Sequence, residues 1–274
     1  MIESHDAAHD HALTWDHSSH ENFYEYYQEQ SLAEHTLERF RAIQKAVLLA
    51  LPRARRIERL AVADIGCGAG TQAMLWSESG HLVRGLDVNA RLLELARTRA
   101  GQRGLTTTFE VGSATELPWA DRTMDVVLVP ELLEHVAPWR QCLNEFARVL
   151  KHGGILYIST SNKLCPVQQE FSLPLYSWYP AFLKRHYERL AVTTRPEIAG
   201  YAKYPAVNWF SFFSLERELK ALGFECRDRF DMMETRNKSL PVRFARQLIR
   251  SVPPLRFLAH VATPYTVVVA RKRV

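Results

Sequence analysis

The tract Ala61-Val62-Ala63-Asp64-Ile65-Gly66-Cys67-Gly68-Ala69-Gly70-Thr71 constrains this chain more than any other. A short apolar strand ends in an acidic residue, glycines follow at every second position, and a helix-like stretch begins. A second apolar run closes on Leu86-Asp87-Val88, with its carboxylate about twenty residues past the first glycine. That layout fits a parallel strand–turn–helix–strand unit with a nucleoside-containing cofactor at its edge. Glycines admit ligand atoms where a Cβ would collide. Asp87 can accept hydrogen bonds from a ribose diol.

The rest of the chain supports a sheet of this type. Glu21 to Leu51 has helical periodicity in Tyr26, Leu37, Phe40, Ile43 and Val47, and Pro52 ends it. Strands are expected at Leu60–Ile65, Leu82–Leu86, Thr107–Val111, Asp125–Val129 and Ile155–Ser159, with helices at Ala90–Ala100 (capped by Asn89) and Trp139–Leu150. Strands alternating with helices imply right-handed crossovers and a doubly wound α/β sheet. Asp64, Gly66, Asp87, Ser113 and Pro130–Glu131 all fall at carboxyl ends of strands, where such sheets bind ligands.

After Ser159 the rhythm breaks. Residues 161–213 are dense in aromatics and prolines, among them Phe171, Tyr176, Trp178, Tyr179, Phe182, Tyr187, Tyr201, Tyr204, Trp209 and Phe210. A stretch this long and apolar is expected to form a lid over the carboxyl end of the sheet. Ser214 is expected to cap a helix over Leu215–Leu222 that Gly223 ends. Phe224–Phe230 and Tyr265–Ala270 read as closing strands. The chain thus divides into a polar arm (1–20), a helical segment (21–56), a cofactor-binding core (57–160), the lid (161–213) and a C-terminal completion of the sheet (214–274).

Composition narrows the classes. A net charge of +5 over 274 residues is mildly basic and permits anionic substrates, lipid headgroups or RNA without selecting among them. Cys67, Cys142, Cys165 and Cys226 are widely spaced, which argues against zinc and disulfide frameworks and points to a reducing cytoplasm. Cys67 is read as packing within the glycine loop. The histidines at His5, His9, His11, His17 and His20 have no ordered ligand spacing, so a polar arm is the reading for residues 1–20. No apolar run approaches the roughly 20 residues that cross a bilayer.

Taken in order, several motifs extend the glycine tract: Gly85-Leu86-Asp87-Val88, Gly112-Ser113-Ala114-Thr115-Glu116-Leu117-Pro118-Trp119, Asp125-Val126-Val127, Glu131-Leu132-Leu133-Glu134-His135-Val136 and Leu150-Lys151-His152-Gly153-Gly154-Ile155-Leu156. Over residues 60 to 160 the chain resembles the class I S-adenosylmethionine-dependent methyltransferases, in particular the branch of the ubiquinone-pathway O-methyltransferases. The resemblance implies a Rossmann-like, seven-stranded doubly wound sheet with helices on both faces. It implies S-adenosylmethionine as cofactor, bound by Asp64, Gly66, Cys67, Gly68, Gly70, Asp87, Val88, Ser113, Ala114 and Pro130. Asp64 would organise the ammonium end, Asp87 the ribose, Ser113 and Ala114 the adenine, and Pro130 the methionine end. Ser113 departs from the family, which usually has an Asp there. The expected activity is methylation of a small molecule, foremost at a hydroxyl oxygen of an aromatic or lipid-like compound, with C- or N-methylation as the alternative.

Three constellations carry competing readings. Glu131, Glu134 and His135 could hold Mg²⁺ together with catechol oxygens, or the two carboxylates could favour a helix N-terminus. His135 reads either as a structural histidine bonded to backbone or as a general base for a phenol. In Arg236 to Arg256, Arg243, Arg246 and Arg250 share one helical face and Leu240, Phe244 and Leu248 another. This fits peripheral contact with an anionic membrane, or a helix packed on the domain with its arginines outward. A nucleic-acid partner is not expected, because the charge is modest and no base-extruding motif occurs. A nicotinamide-dependent oxidoreductase would want GxGxxG and a catalytic Tyr-Lys or His-Asp set, and neither is present.

Overall fold

A computed structural model describes residues 29–167, 171–199, 208–233 and 239–273. The expectations for the polar arm, for the helix over residues 21–28, for Tyr201, Tyr204 and Pro205, and for Arg236 and Lys238 lie outside the described residues.

The first strands are β1 (Ala61–Ile65), β2 (Leu82–Asp87), β3 (Thr108–Val111), β4 (Met124–Pro130) and β5 (Leu150–Ser161); β6 (Phe224–Asp228) and β7 (Tyr265–Lys272) complete one sheet in the order β3-β2-β1-β4-β5-β7-β6. The pairs β1–β2, β1–β4, β2–β3 and β4–β5 are parallel, and β7 runs antiparallel between β5 and β6. β1 therefore lies at the point where the strand order reverses. Sheets of this type bind ligands at the carboxyl ends of the strands on either side of that point, here the turns that follow β1 and β4.

Helices cover both faces, and the strand sequences show why. Along β4, Val126 and Leu128 face one core, and Val127 and Val129 the other. All four are fully buried, as a central parallel strand requires. On one side lie α1 (Glu34–Ala50), α2 (Thr71–Glu78) and α3 (Ala90–Gln102), which contribute Ile43, Val47, Met74, Trp76 and Leu93. On the other lie α4 (Trp139–Val149) and, later in the chain, the helix Phe212–Ala221, which contribute Phe146, Leu143, Leu215 and Leu219. Full burial of a side chain such as Phe146 is worth about 1.5–3 kcal/mol. Asn89 caps α3 as expected, its Oδ1 accepting the Leu92 amide at 3.1 Å.

The segment expected to form a lid contains α5 (Ala181–Thr193) and a small core of its own around the fully buried Tyr176. Phe171 stacks on Tyr176 with ring centroids 4.1 Å apart, and Trp209 meets it edge-on at 5.6 Å. Lys184 Nζ sits 4.9 Å from the centre of the Trp209 ring. The returning chain clamps the turn after β4: the Asn208 amide donates to the Glu134 carbonyl at 3.0 Å, and its side chain donates to the carbonyls of Leu133 and Val136.

Several boundaries differ from the sequence-based expectation, among them the start of β5, at Leu150 instead of Ile155. Helix α6 (Phe212–Ala221) is capped by Ser211, not Ser214. The two serines form a reciprocal capping box, so Ser214 occupies the third helical position. β6 ends at Asp228, because that side chain caps the short helix α7 (Arg229–Met232) by accepting the Asp231 amide at 2.9 Å. The basic stretch is two helices, α8 (Leu240–Ser251) and α9 (Pro253–Val261), separated at Val252 by the two prolines that open α9. Among the described residues no helix is long and apolar enough to cross a membrane.

Candidate cofactor and acceptor site

Asp64 ends β1 just before the glycine turn and is 1% exposed. Neither carboxylate oxygen has a hydrogen-bond partner among the described residues. Burial pushes this carboxyl up to about 7; the nearby Ala73 backbone N–H offsets part of the effect, and the Asp87 charge adds to it. An acid in this state is short of a cationic partner.

The turn itself is built from three left-handed residues, Gly66, Gly68 and Gly70. Gly70 is the first residue before α2, with φ +75°, and a Cβ there would meet Ala96 Cβ and the Phe109 ring at 2.8 Å. Close packing of the turn onto α3 and β3, rather than ligand approach, is what demands glycine at this position. The Gly66 and Cys67 amides donate to the Leu86 carbonyl, which staples the turn to β2. Burial pushes the Cys67 thiol well above its ordinary range, with the Asp64 and Asp87 charges adding to the effect, and its side chain packs beside the α1–α3 core. That environment suits packing and not a nucleophile.

Asp87 faces the middle of the turn. Its Oδ2 accepts the Gly68 amide and its Oδ1 the Asn89 amide, both at 2.8 Å. Burial raises this acid, and the amides of Asn89, Gly68 and Val88 work against the rise. The two amides fix the carboxylate in place while each oxygen keeps a further acceptor position. Val88 beside it is 44% exposed and presents an apolar surface at the same edge.

Ser113 and Ala114 follow β3. Ser113 Oγ is 2.7 Å from Thr115 Oγ1 and accepts the Thr115 amide, so its hydroxyl holds the turn, and Ala114 is buried. The Gly112 amide donates to the Asp87 carbonyl, bringing this turn to the Asp87 end of β2. Behind it, Glu145 accepts the Leu117 amide at 2.7 Å while Arg148 holds the Leu117 and Trp119 carbonyls.

Pro130 ends β4, and Glu131 follows with φ +52°, a conformation that L side chains rarely adopt. Glu131 pairs with Arg39 of α1. Glu134 is 1% exposed, and His135 is half-buried in the 3₁₀ turn Leu133–His135. The expectation that the two carboxylates open an α-helix is corrected: α4 begins at Trp139, behind Pro138, with no acid in its first turn. Nor do Glu131, Glu134 and His135 gather as a donor set, and no group of three or more His, Cys, Asp or Glu among the described residues is arranged to hold a metal ion.

Several polar groups at the site had no sequence signal that singled them out. Thr71 and Gln72, in the first turn of α2, are 4% and 2% exposed, and their side-chain polar atoms have no partner among the described residues. Their place directly after the glycines was the available clue. Arg39 had none, since its partner lies 92 residues away. Together Asp64, Thr71 and Gln72 leave buried acceptors and donors that the ammonium and carboxylate of an amino-acid group would satisfy. The residues present therefore fit a cofactor that joins such a group to a ribose.

A mostly parallel sheet whose strand order reverses at β1, an acid-ended first strand, a left-handed glycine turn and an acid-ended second strand define a Rossmann-like fold. Residues 63–158 match the methyltransferase domain family. The chain is 30% identical over 182 residues to the ubiquinone biosynthesis O-methyltransferase of Rhizobium leguminosarum bv. trifolii, covering 64% of this chain and 63% of that protein. It thus spans slightly less than two thirds of that relative's length. An S-adenosylmethionine-dependent methyltransferase from Mesorhizobium loti superposes with a TM-score of 0.55 at 18% identity, over 84% of this chain and 98% of the other. The [4+2]-cyclase SpnF superposes with a TM-score of 0.53 at 20% identity, over 87% and 82%. At these identities the solved structures establish the fold alone. Residues 63–158 of this chain are thus similar to methyltransferase domains, and the similarity to the ubiquinone biosynthesis O-methyltransferases extends over 182 residues.

Proposed function

We propose that this protein transfers a methyl group from S-adenosylmethionine to a small-molecule acceptor, at a hydroxyl oxygen of an aromatic or lipid-like compound. The observation that carries the proposal is Asp64, buried at the end of β1 with both oxygens unpartnered among the described residues. When bound, the cofactor supplies an electrophilic methyl group on a sulfonium.

The chain's own residues bind and orient. Asp64 takes the ammonium, with Thr71 and Gln72 at the same end. Asp87, held by the Gly68 and Asn89 amides, takes the ribose hydroxyls. Val88 and Ala114 border the adenine, and Ser113 shapes the turn there. Pro130 lines the methionine end by main-chain contact. Because the leaving group is already activated, alignment and exclusion of water are the main tasks left to the protein. His135, on the turn clamped by Asn208, accepts the proton of the acceptor hydroxyl. The lid aromatics favour an apolar acceptor. The reading includes peripheral contact of the C-terminal helices with a membrane, where a lipid-like acceptor resides.

The test is incubation of the protein with S-adenosylmethionine and a panel of catechols and polyprenylated phenols, followed by mass spectrometry. A gain of one methyl group in an acceptor, with formation of the demethylated cofactor, supports the reading. Binding of the cofactor without turnover of any hydroxylated acceptor, but with turnover of an amine or carbon acid, moves the acceptor atom.

A further inference from the structure

Helices α8 and α9 are inserted between β6 and β7, and their amphipathicity is the reverse of that of a helix packed on a soluble domain. The polar face points inward. Arg246 donates to the carbonyls of Phe230 and Asp231 at 3.0 Å, and Arg250 pairs with Asp231 at 3.0 Å. Arg256 bridges Asp228 at 2.8 Å and Asp231 at 2.7 Å, while His260 Nε2 lies 2.9 Å from the fully buried Asp228. The apolar face points outward: Leu240 is 75%, Phe244 69% and Leu248 41% exposed in α8, and Phe257 46% and Leu258 59% in α9. No side chain of α8 is buried.

The position of these helices matters as much as their orientation. Tyr265 pairs with Ser161 and Asp228 with Val268, so the insertion leaves the sheet at the end where β4 and β5 finish. Asn162, at the start of the lid, donates to the carbonyls of His260 and Thr263 at 2.8 Å and so joins the lid to the end of α9. The lid itself exposes Trp178 at 55% and Phe182 at 68%.

Charge selects the occupant of this face. From Ser239 to Pro264 the sequence has four arginines and no Asp or Glu. Among the described residues, Asp228 and Asp231 are the carboxylates that Arg250 and Arg256 meet, so the insertion itself keeps a positive excess, with Arg243 exposed at the edge of the apolar stripe. Two copies meeting through this face would bring like charges together, whereas anionic headgroups complement them.

We propose that α8 and α9 dock the protein on an anionic lipid bilayer, with Phe244, Leu248, Phe257 and Leu258 entering the headgroup boundary and Arg243 at the phosphates. The surface that meets lipid is the apolar one, and three of the four arginines serve to hold it outward. The inference deepens the methyltransferase reading and rests on it for one link: an acceptor dissolved in the bilayer would reach a site at the same end of the sheet.

The test is co-sedimentation of the full chain with vesicles of phosphatidylcholine alone and of phosphatidylcholine and phosphatidylglycerol in equal parts. The wild type is expected to pellet with the anionic vesicles. A Phe244→Asp/Phe257→Asp variant should bind them roughly tenfold more weakly or worse. Arg243→Glu should lose most of the dependence on phosphatidylglycerol, and neither variant should change the circular dichroism or cofactor binding. Wild type remaining in the supernatant, or the double variant pelleting equally, overturns the proposal. A dimer in sedimentation velocity that the double variant disperses overturns it in favour of a second copy on this face. Vesicle binding in a protein that does not bind S-adenosylmethionine upholds the docking surface and removes the methyltransferase reading.

Discussion

Asp87 Oδ2 accepts the Gly68 amide at 2.8 Å, so the acid that ends the second strand is clamped to the middle of the glycine turn that ends the first. The contact joins the two motifs that dominate the sequence. It fixes the orientation of the carboxylate while satisfying an amide that a left-handed turn would otherwise leave open. Replacing Asp87 with Ala removes both this bond and the one to Asn89. Cofactor affinity is expected to fall roughly a hundredfold, and stability by about 1–3 kcal/mol. Calorimetric titration with S-adenosylmethionine and denaturant melts measure the two effects separately.

Asp64 should trade stability against binding. Its carboxyl is raised to about 7 in the folded protein, against about 3.9 in an unfolded chain. Between these values the folded state holds a proton that the unfolded state has lost. The stability of the cofactor-free protein therefore declines as pH rises from about 4 to 7, by on the order of 2–4 kcal/mol from this group. Asp64→Asn should flatten that slope and raise the melting temperature at pH 8, yet abolish cofactor binding. In the wild type, affinity for S-adenosylmethionine should increase with pH up to about 7 and then level off, because only the ionised acid attracts an ammonium. Parallel thermal melts and titrations from pH 5.5 to 8.5 check both slopes.

Gly70 is a packing requirement. A methyl group there would meet Ala96 and Phe109 at 2.8 Å in a backbone held at φ +75°. Gly70→Ala is expected to cost about 2–4 kcal/mol, combining left-handed strain with overpacking. Gly80 is the control, since φ is +87° but nothing lies within 4 Å of its added Cβ. Gly80→Ala should cost only the strain, about 1–2 kcal/mol. Equal losses from the two would remove the packing argument.

Asp125, part of the family-like pattern, lies at the amino end of β4, away from the carboxyl ends of the strands. It accepts the Ala61 amide at 2.9 Å, Arg55 at 2.5 Å and Lys151 at 2.9 Å. Burial alone would raise this acid, but the Ala61 amide, Lys151 and Arg55 together hold it below the ordinary carboxylate range. Its contribution to stability is present above about pH 4 and is lost as the pH falls through the depressed folded value. Asp125→Asn should lower stability at pH 7 by about 2–4 kcal/mol and leave cofactor affinity within twofold, about the scatter of such measurements.

The parts of the fold legible in the sequence are those with local causes. Continuous apolar runs marked β1 and β4, the Asn89 side chain marked the start of α3, and alternating glycines marked the turn. What stayed hidden depends on partners distant in the chain or on a choice between equals. Ser211 and Ser214 are reciprocal members of one capping box, and composition does not say which comes first. The strand expected to reach Phe230 stops because Asp228 caps a turn, and the same carboxylate then gathers Arg256 and His260 from 28 and 32 residues further on. Helical periodicity at Leu240, Phe244 and Leu248 revealed an apolar stripe without its direction. That direction is set by Asp228 and Asp231, which take the arginines inward. The Arg39–Glu131 pair joins α1 to the end of β4 and likewise has no local signature.

The central claim is that Asp64 and Asp87 bind S-adenosylmethionine. Isothermal titration calorimetry at pH 8 tests it most directly, with the cofactor, its demethylated product and NADH titrated into wild type, Asp64→Asn and Asp87→Ala. The wild type should bind both sulfur compounds and not NADH, Asp64→Asn should bind neither, and Asp87→Ala should bind both far more weakly. Wild type that binds neither compound, or an Asp64→Asn variant that binds them as wild type does, would contradict the account.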